Sequence, residues 1–295
     1  MTLERSRIIV FLLVAFGFTW GIDAVIWATG GLAGAEIADG IPLSLPLITV
    51  SMFGPALGNV VARIATREGW EDLRLRFTGP PRAWLVVWPG MVAAALVGVV
   101  VYFAVFPGQF DASMPALAEQ LEATGVEPPI GPEVLGVIQI AAAILFAPFI
   151  NAIPAFGEEF GWRGYLQWKL RPLGWHPMLG WMGLIWGAWH WPLIALGYNY
   201  GSDYPGFPWL GMAAFVVFTT SVGAVLAWAT ERTGSCLPAA LGHGVVNAVA
   251  GIGVLFAAGD TLPLLGPAVV GLVAGLGFVV LAVVVARAVP VPAEA

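Results

Sequence analysis

The chain has 295 residues, of which 59% are hydrophobic and only 10% are charged. A typical soluble domain carries about 25% charged residues, so water is not the solvent for most of this surface. The formal net charge of −6 and the lack of a basic face argue against nucleic acid as a partner. A single cysteine, Cys236, excludes an intrachain disulfide. The composition therefore predicts one integral membrane domain that takes up almost the whole chain.

Eight apolar runs follow one another along the chain, and each can cross the bilayer hydrocarbon, which takes roughly 20 residues. The runs are continuous rather than alternating, which predicts helices instead of barrel strands. The predicted fold class is all-α, a polytopic transmembrane helical bundle of about eight spans. The predicted spans lie near residues 8–29, 43–62, 84–106, 134–156, 177–197, 209–230, 237–258 and 262–286.

The positive charges fall on one side of these predicted spans. All eleven arginines and the one lysine lie before the first span, after the second, fourth and sixth spans, or after the last span. Because cytoplasmic loops carry an excess of Lys and Arg, both termini are predicted to be cytoplasmic. The pattern predicts a multi-pass protein in contact with the lipids of the cell (plasma) membrane. The residue usage favours a prokaryotic source.

A pair of carboxylates stands at the arginine-rich end of the fourth predicted span. Ionisable groups in a membrane cost roughly 2.5–3.5 kcal/mol each to insert, so they need a reason. Glu158 and Glu159 are adjacent, and Arg163 follows Glu159 by four residues. This spacing predicts that Arg163 anchors Glu159 and leaves Glu158 free as a general base. The alternative interpretation is a solvated helix end with a plain ion pair.

Two of the three histidines lie inside predicted spans. His190 is surrounded by tryptophans and can donate or accept a hydrogen bond, or bind a metal. His243 and Asn247 are about one helical turn apart and can together donate to a developing oxyanion. The alternatives are a histidine satisfied by a backbone carbonyl and ordinary hydrogen bonding between helices. His176, in the basic loop, is expected to be solvated.

These three motifs come from three separate helices. If the fourth, fifth and seventh spans pack together, a carboxylate, two imidazoles and an amide meet in a dry site. Topology places that site in the arginine-rich half of the membrane or near its middle. Such a set is typical of hydrolytic chemistry.

At these motifs the chain resembles the CPBP family of intramembrane endopeptidases (the ABI family), which includes the type II CAAX prenyl endopeptidases. That family is marked, in order, by Glu-Glu-x-x-x-Arg, aromatic-x-x-x-His and His-x-x-x-Asn motifs. Here they stand at residues 158–163, 186–190 and 243–247. The aromatic position is Trp186, where the family usually has Phe. The resemblance covers roughly residues 149–251.

The resemblance implies a peptide-bond hydrolase with an eight-helix core. The first glutamate would activate water with help from the first histidine, and the second histidine and the asparagine would stabilise the oxyanion. The second glutamate and the arginine would hold the site in shape. The implied catalytic residues and the supporting arginine are Glu158, Glu159, His190, His243, Asn247 and Arg163.

The resemblance leaves the cofactor open between zinc and none. Glu158, His190 and His243 can form a two-His, one-Glu zinc set. The His-Glu-x-x-His helix signature is missing, and a metal-free glutamate mechanism needs the same residues. The implied substrate is a membrane-associated or lipidated peptide that reaches the site from the cytoplasmic side.

The chain divides into three predicted regions. Residues 1–133 hold three spans and an acidic outer loop, 134–258 form the catalytic membrane core, and 259–295 form the last span and a short cytoplasmic tail. The loop 107–133 is expected to contain local helix and no chemistry. The first apolar run exceeds the 7–15 residues of a usual signal-peptide core, which favours a retained anchor.

Two other functions compete with the protease hypothesis. An ion- or proton-coupled transporter would use the same buried groups as a relay, and it predicts polar residues along a path to both faces. Asp23 in the first span is the one clear outlier of that kind, and we interpret it as an outer-end residue. A non-catalytic immunity or partner-binding scaffold is the other alternative. It should tolerate the near-isosteric change Glu158→Gln.

Overall fold

The computed structural model describes residues 4–125 and 129–288. The α-helices are, in chain order, α1 (Arg5–Ala28), α2 (Ser44–Ser51), α3 (Gly54–Ala65), α4 (Pro81–Leu85), α5 (Met91–Val105), α6 (Pro115–Thr124), α7 (Pro132–Leu145), α8 (Ala147–Gly161), α9 (Gln167–Leu170), α10 (Trp175–Trp189), α11 (Trp191–Ala195), α12 (Trp209–Thr233), α13 (Leu237–Val249), α14 (Ile252–Leu255) and α15 (Leu276–Ala288). One small antiparallel hairpin joins β1 (Glu36–Ala38) to β2 (Ile41–Pro42).

Within the described residues, five segments are long and apolar enough to cross a membrane: Arg5–Ala28, Ser44–Ala65, Pro81–Val105, Trp209–Thr233 and Leu237–Leu255. A sixth candidate is the pair Pro132–Leu145 and Ala147–Leu173, which is bent by 49°. The prediction of an all-α polytopic membrane bundle is therefore confirmed. The count of eight spans and the cytoplasmic placement of both termini stay predictions, and the tail from residue 289 lies outside the described residues.

Two predicted spans differ from the observed helices. The fifth is divided, because α10 ends at Trp189 and the short α11 begins beyond His190. The predicted helix over 262–286 is wrong in its first half, where residues 262–275 form turns and only α15 is helical. That half contains two prolines and three glycines, which remove a backbone donor and favour non-helical backbone. The loop 107–133 does contain the expected local helix, α6.

Small residues let the helices that carry the motifs approach closely. A Cβ atom on Gly244 of α13 would lie 2.4 Å from the carbonyl oxygen of Pro148 in α8. A Cβ atom on Gly183 of α10 would lie 2.1 Å from Oγ1 of Thr220 in α12. Small residues at such contacts are typical of helix association in lipid. This packing brings α8, α10 and α13 around one centre.

The helix that carries the glutamates changes its winding directly after them. Residues Trp162–Leu166 form one π-helical segment, which follows α8 without a break and carries Arg163. Single π-turns inside helices are frequent at functional sites. Here the π-turn and α8 together set the direction of the arginine towards the second glutamate.

Candidate active site

Glu158 lies near the end of α8 and is 2% exposed. Its Oε2 atom accepts hydrogen bonds from two indoles, from Nε1 of Trp186 at 2.7 Å and from Nε1 of Trp162 at 3.4 Å. No hydrogen bond to its other oxygen, Oε1, is found among the described residues. One oxygen is therefore fixed and the other is free to meet a small molecule.

Glu159 and Arg163 form the predicted ion pair, and both side chains are fully buried. Nη1 of Arg163 lies 3.0 Å from each carboxylate oxygen of Glu159. The same carboxylate receives Nδ1 of His243 at 2.9 Å. Glu159 thus joins α8 to α13, and it fixes the ring of His243 so that Nε2 points away from the ion pair. A carboxylate behind a histidine is a common way to set its tautomer and orientation.

His190 caps the end of α10, and its Nδ1 lies 2.8 Å from the carbonyl oxygen of Trp186. Because a carbonyl oxygen only accepts, Nδ1 carries a proton, and in the neutral form of the ring Nε2 is then an acceptor. The imidazole contacts the rings of Trp189 and Phe215, with centroids 4.6 and 4.7 Å away. The hydrogen bond to a backbone carbonyl, which was considered as the alternative to a functional role, is therefore present. It uses only Nδ1, and no hydrogen bond to Nε2 is found among the described residues.

Trp186 contacts four of the predicted residues. Its indole N–H donates to Glu158, its carbonyl holds His190, its ring lies 5.3 Å from that of His243, and the Arg163 guanidinium stacks over it at 4.4 Å. No such role was predicted for Trp186 from the sequence. The signal was present in the motif, because an indole differs from the usual phenyl group by one hydrogen-bond donor.

The structure does not bring every predicted residue into this buried cluster. Asn247 is exposed, one turn beyond His243 on α13, and makes no side-chain hydrogen bond to a described residue. His176 is exposed, as expected. Asp23 is only 2% exposed and neither of its oxygens has a hydrogen-bond partner in the described part of the chain. It is therefore a buried group near the end of α1, and its interpretation as an outer-end residue stays a prediction.

The fit of a metal ion can be judged from the same contacts. Across residues 4–125 and 129–288, no three His, Cys, Asp or Glu side chains are grouped in a way that could hold a metal ion. Glu158 turns one oxygen towards two indole N–H groups instead of towards the imidazoles. The residues as placed do not fit a zinc site.

Part of the chain matches a known protein family. Residues 137–249 match the model described as type II CAAX prenyl endopeptidase Rce1-like. The matched segment contains all three motifs and runs from α7 to the end of α13. A comparison with curated proteins gave no match. The resemblance recognised in the motifs is thus confirmed over this segment.

Proposed function

We propose that this chain, whose residues 137–249 belong to the Rce1-like type II CAAX prenyl endopeptidase family, is an intramembrane endopeptidase in which Glu158 activates water. The family match supports activity of the CAAX protease type. The assignment of Glu158 as the group that activates water rests on the different surroundings of its two oxygens. Two indole N–H groups donate to Oε2, whereas Oε1 is free to meet a water molecule.

In the proposed reaction, Oε1 of Glu158 takes a proton from a water molecule as the water oxygen bonds to the peptide carbonyl carbon. The carbonyl π electrons move to its oxygen and form a tetrahedral oxyanion. The C–N bond then breaks, and the proton held by Glu158 passes to the leaving nitrogen. General acid–base catalysis of this kind contributes typically 10²–10⁴-fold to the rate.

His243 supplies the positive charge for the oxyanion in this proposal. With both Glu158 and Glu159 ionised, Arg163 and a protonated His243 bring the formal charge of the buried cluster to zero. The Nδ1–H group then donates to Glu159 and the Nε2–H group donates to the oxyanion. Asn247, which is exposed on the same helix, would offer its amide as a second donor once a substrate covers it.

His190 has a supporting role in the proposal. Its Nε2 lone pair can accept a hydrogen bond from the water that Glu158 deprotonates, which orients the oxygen towards the substrate. Because the site lies between apolar helices, the substrate would be a peptide that is itself membrane-associated or lipidated. Exclusion of bulk water strengthens every electrostatic contact in such a site.

The proposal is tested by cleavage assays on the purified full chain in detergent. The panel holds membrane-associated and lipidated peptides, and the variants are Glu158→Gln, His243→Ala and the control Glu68→Gln, which lies outside the site. We expect wild type and Glu68→Gln to cleave the same peptide and the two site variants to lose cleavage. Cleavage that persists in both site variants would assign the activity elsewhere. We expect a metal chelator to leave cleavage unchanged. Cleavage that the chelator abolishes and that added zinc restores would contradict the metal-free mechanism.

A further inference from the structure

An apolar groove of about 400 Å³ opens on the surface of α8 and α13. Every side chain that lines it is hydrophobic. Ile153 and Phe149 of α8 line one wall and are 67% and 50% exposed. Small side chains at Ala152 and Ala240 leave the floor open. The groove is therefore a lipid-facing cleft between the two helices that hold Glu159 and His243.

The other wall comes from Phe77, in the arginine-rich loop before α4, and from Trp84 of α4. Their rings stack with centroids 5.8 Å apart and an angle of 12° between the planes. Phe77 is 85% exposed, which is unusual for so large an apolar side chain unless lipid covers it. Aromatic rings of this kind collect at the membrane–water interface. The groove thus runs from the interface, at this ring pair, along α8 towards the hydrocarbon.

Two free positive charges flank the interfacial end of the groove. Arg76 precedes Phe77, and Arg82 lies two residues before Trp84. Both arginines are exposed, and neither guanidinium group has an ion-pair or hydrogen-bond partner among the residues that the structure describes. Their neighbour Arg74, by contrast, is paired with Asp72 at 3.2 Å.

We propose that this groove binds one anionic phospholipid of the arginine-rich leaflet. One acyl chain would lie in the groove, and the phosphate would lie between Arg76 and Arg82, whose unpaired charges complement it. Guanidinium groups suit phosphate oxygens because they donate in a planar fork. A bound chain would touch Phe156 and Ala240, each one helical turn from a member of the buried cluster, and would brace α8 against α13. The site does not depend on the protein being a protease.

Native mass spectrometry of the full chain, released from detergent after titration, tests this site. The probes are phosphatidylglycerol and phosphatidylcholine with the same acyl chains. The attraction of one arginine for an anionic membrane surface is large enough that two arginines together give about a thirtyfold preference for phosphatidylglycerol over phosphatidylcholine. We expect that preference in the wild type and its loss in Arg76→Gln/Arg82→Gln. The control is Arg67→Gln, which should keep the preference. Arg67 is exposed in the same arginine-rich region, and its side chain has no ion-pair partner among the described residues.

The acyl-chain part of the site is tested with a matched pair on α8. Ile153 lines the groove, whereas Ile150 does not, and they are 67% and 69% exposed. Ile153→Trp should fill the groove and reduce retention of both lipids, and Ile150→Trp should leave it unchanged. Equal retention of the two lipids by the wild type, or equal retention by the two tryptophan variants, would overturn the proposal. So would displacement of the anionic lipid by a farnesylated peptide at tenfold lower concentration, since that would assign the groove to substrate.

Discussion

Two clusters of charged side chains use the same residue types in different surroundings. The buried cluster of Glu158, Glu159, Arg163 and His243 is almost without exposed surface. The surface cluster joins Glu4, Arg7, Glu68 and Lys169 at the arginine-rich end, where side-chain exposure ranges from 11% to 42%.

The two clusters differ in how completely their polar atoms are used. At the surface, Glu68 accepts from Lys169 at 2.5 Å and from the Tyr165 hydroxyl at 3.0 Å, and water can satisfy the remaining atoms. In the buried cluster, Nε and Nη2 of Arg163 have no described acceptor. Buried polar atoms without partners are costly, and native proteins keep few of them. The surface cluster therefore holds separate segments of the chain together. In the buried cluster, by contrast, N–H donors of Arg163 have no acceptor among the described residues, and they belong to the same cluster as the free Oε1 of Glu158.

The largest expected effect on stability comes from removing the buried cation. Arg163→Met leaves Glu159 ionised without its main partner, and breaking a buried pair costs about 3–5 kcal/mol. For a protein of this size we expect the unfolding temperature to fall by on the order of 10 °C. The matched control is Arg171→Met, which removes a pair with Glu231 in which the arginine side chain is 43% exposed. An equal fall in unfolding temperature in the two variants would show that burial does not make the Glu159–Arg163 pair more important for stability than a half-exposed pair.

The next effect is on catalysis and concerns Trp186. Trp186→Phe keeps a ring beside His243 but removes the 2.7 Å hydrogen bond to Glu158. A hydrogen bond to a charged group contributes about 1.5–3 kcal/mol, so we expect kcat to fall about 10- to 100-fold with little change in KM. Trp181→Phe, on the exposed face of the same helix, is the control. Unchanged kcat in Trp186→Phe would remove this residue from the positioning of Glu158.

A smaller effect is expected where α12 makes room for the arginine. A Cβ atom on Gly223 would lie 3.0 Å from Nη2 of Arg163. Gly223→Ala should therefore displace the guanidinium and destabilise the chain by about 1–3 kcal/mol, as overpacked cores do. A Cβ atom on Gly180 of α10 would meet nothing within 4 Å, so Gly180→Ala should be neutral or slightly stabilising. Thermal unfolding of both variants separates a general effect of alanine from crowding of Arg163.

The smallest effect belongs to the surface cluster and depends on pH. Burial raises the pKa of Glu4, but hydrogen bonds and attraction from Arg7 and Lys169 outweigh it and hold the pKa below 4.5. A lowered folded-state pKa gives stability that is present above the unfolded value and is lost as the pH falls through the folded value. Glu4→Gln should cost under about 1 kcal/mol at neutral pH. The difference from wild type should vanish in acid and shrink in high salt, and a difference that grows in acid would show that this sign is wrong.

The sequence predicted the fold class and the pairing of Glu159 with Arg163, because continuous apolar runs and i, i+4 spacing are local signals. The packing of α8, α10 and α13 against one another could be expected only because each of them carries polar residues that suit a common site. It did not predict the turns over 262–275, where apolar composition hid the effect of prolines and glycines. It also did not predict the role of Trp186, since a contact between separate helices has no local signature. The catalytic roles of Glu158, His190, His243 and Asn247 stay predictions.

The central claim is that the free oxygen of Glu158 activates water, and the most direct measurement is the cleavage rate of Glu158→Gln at a matched folded fraction. The amide keeps the size of the side chain and cannot take the proton. We predict a rate at least about 100-fold below wild type, the lower end of what a general base contributes, with the unfolding temperature lowered far less than in Arg163→Met. A Glu158→Gln protein that cleaves within about threefold of wild type would contradict the account.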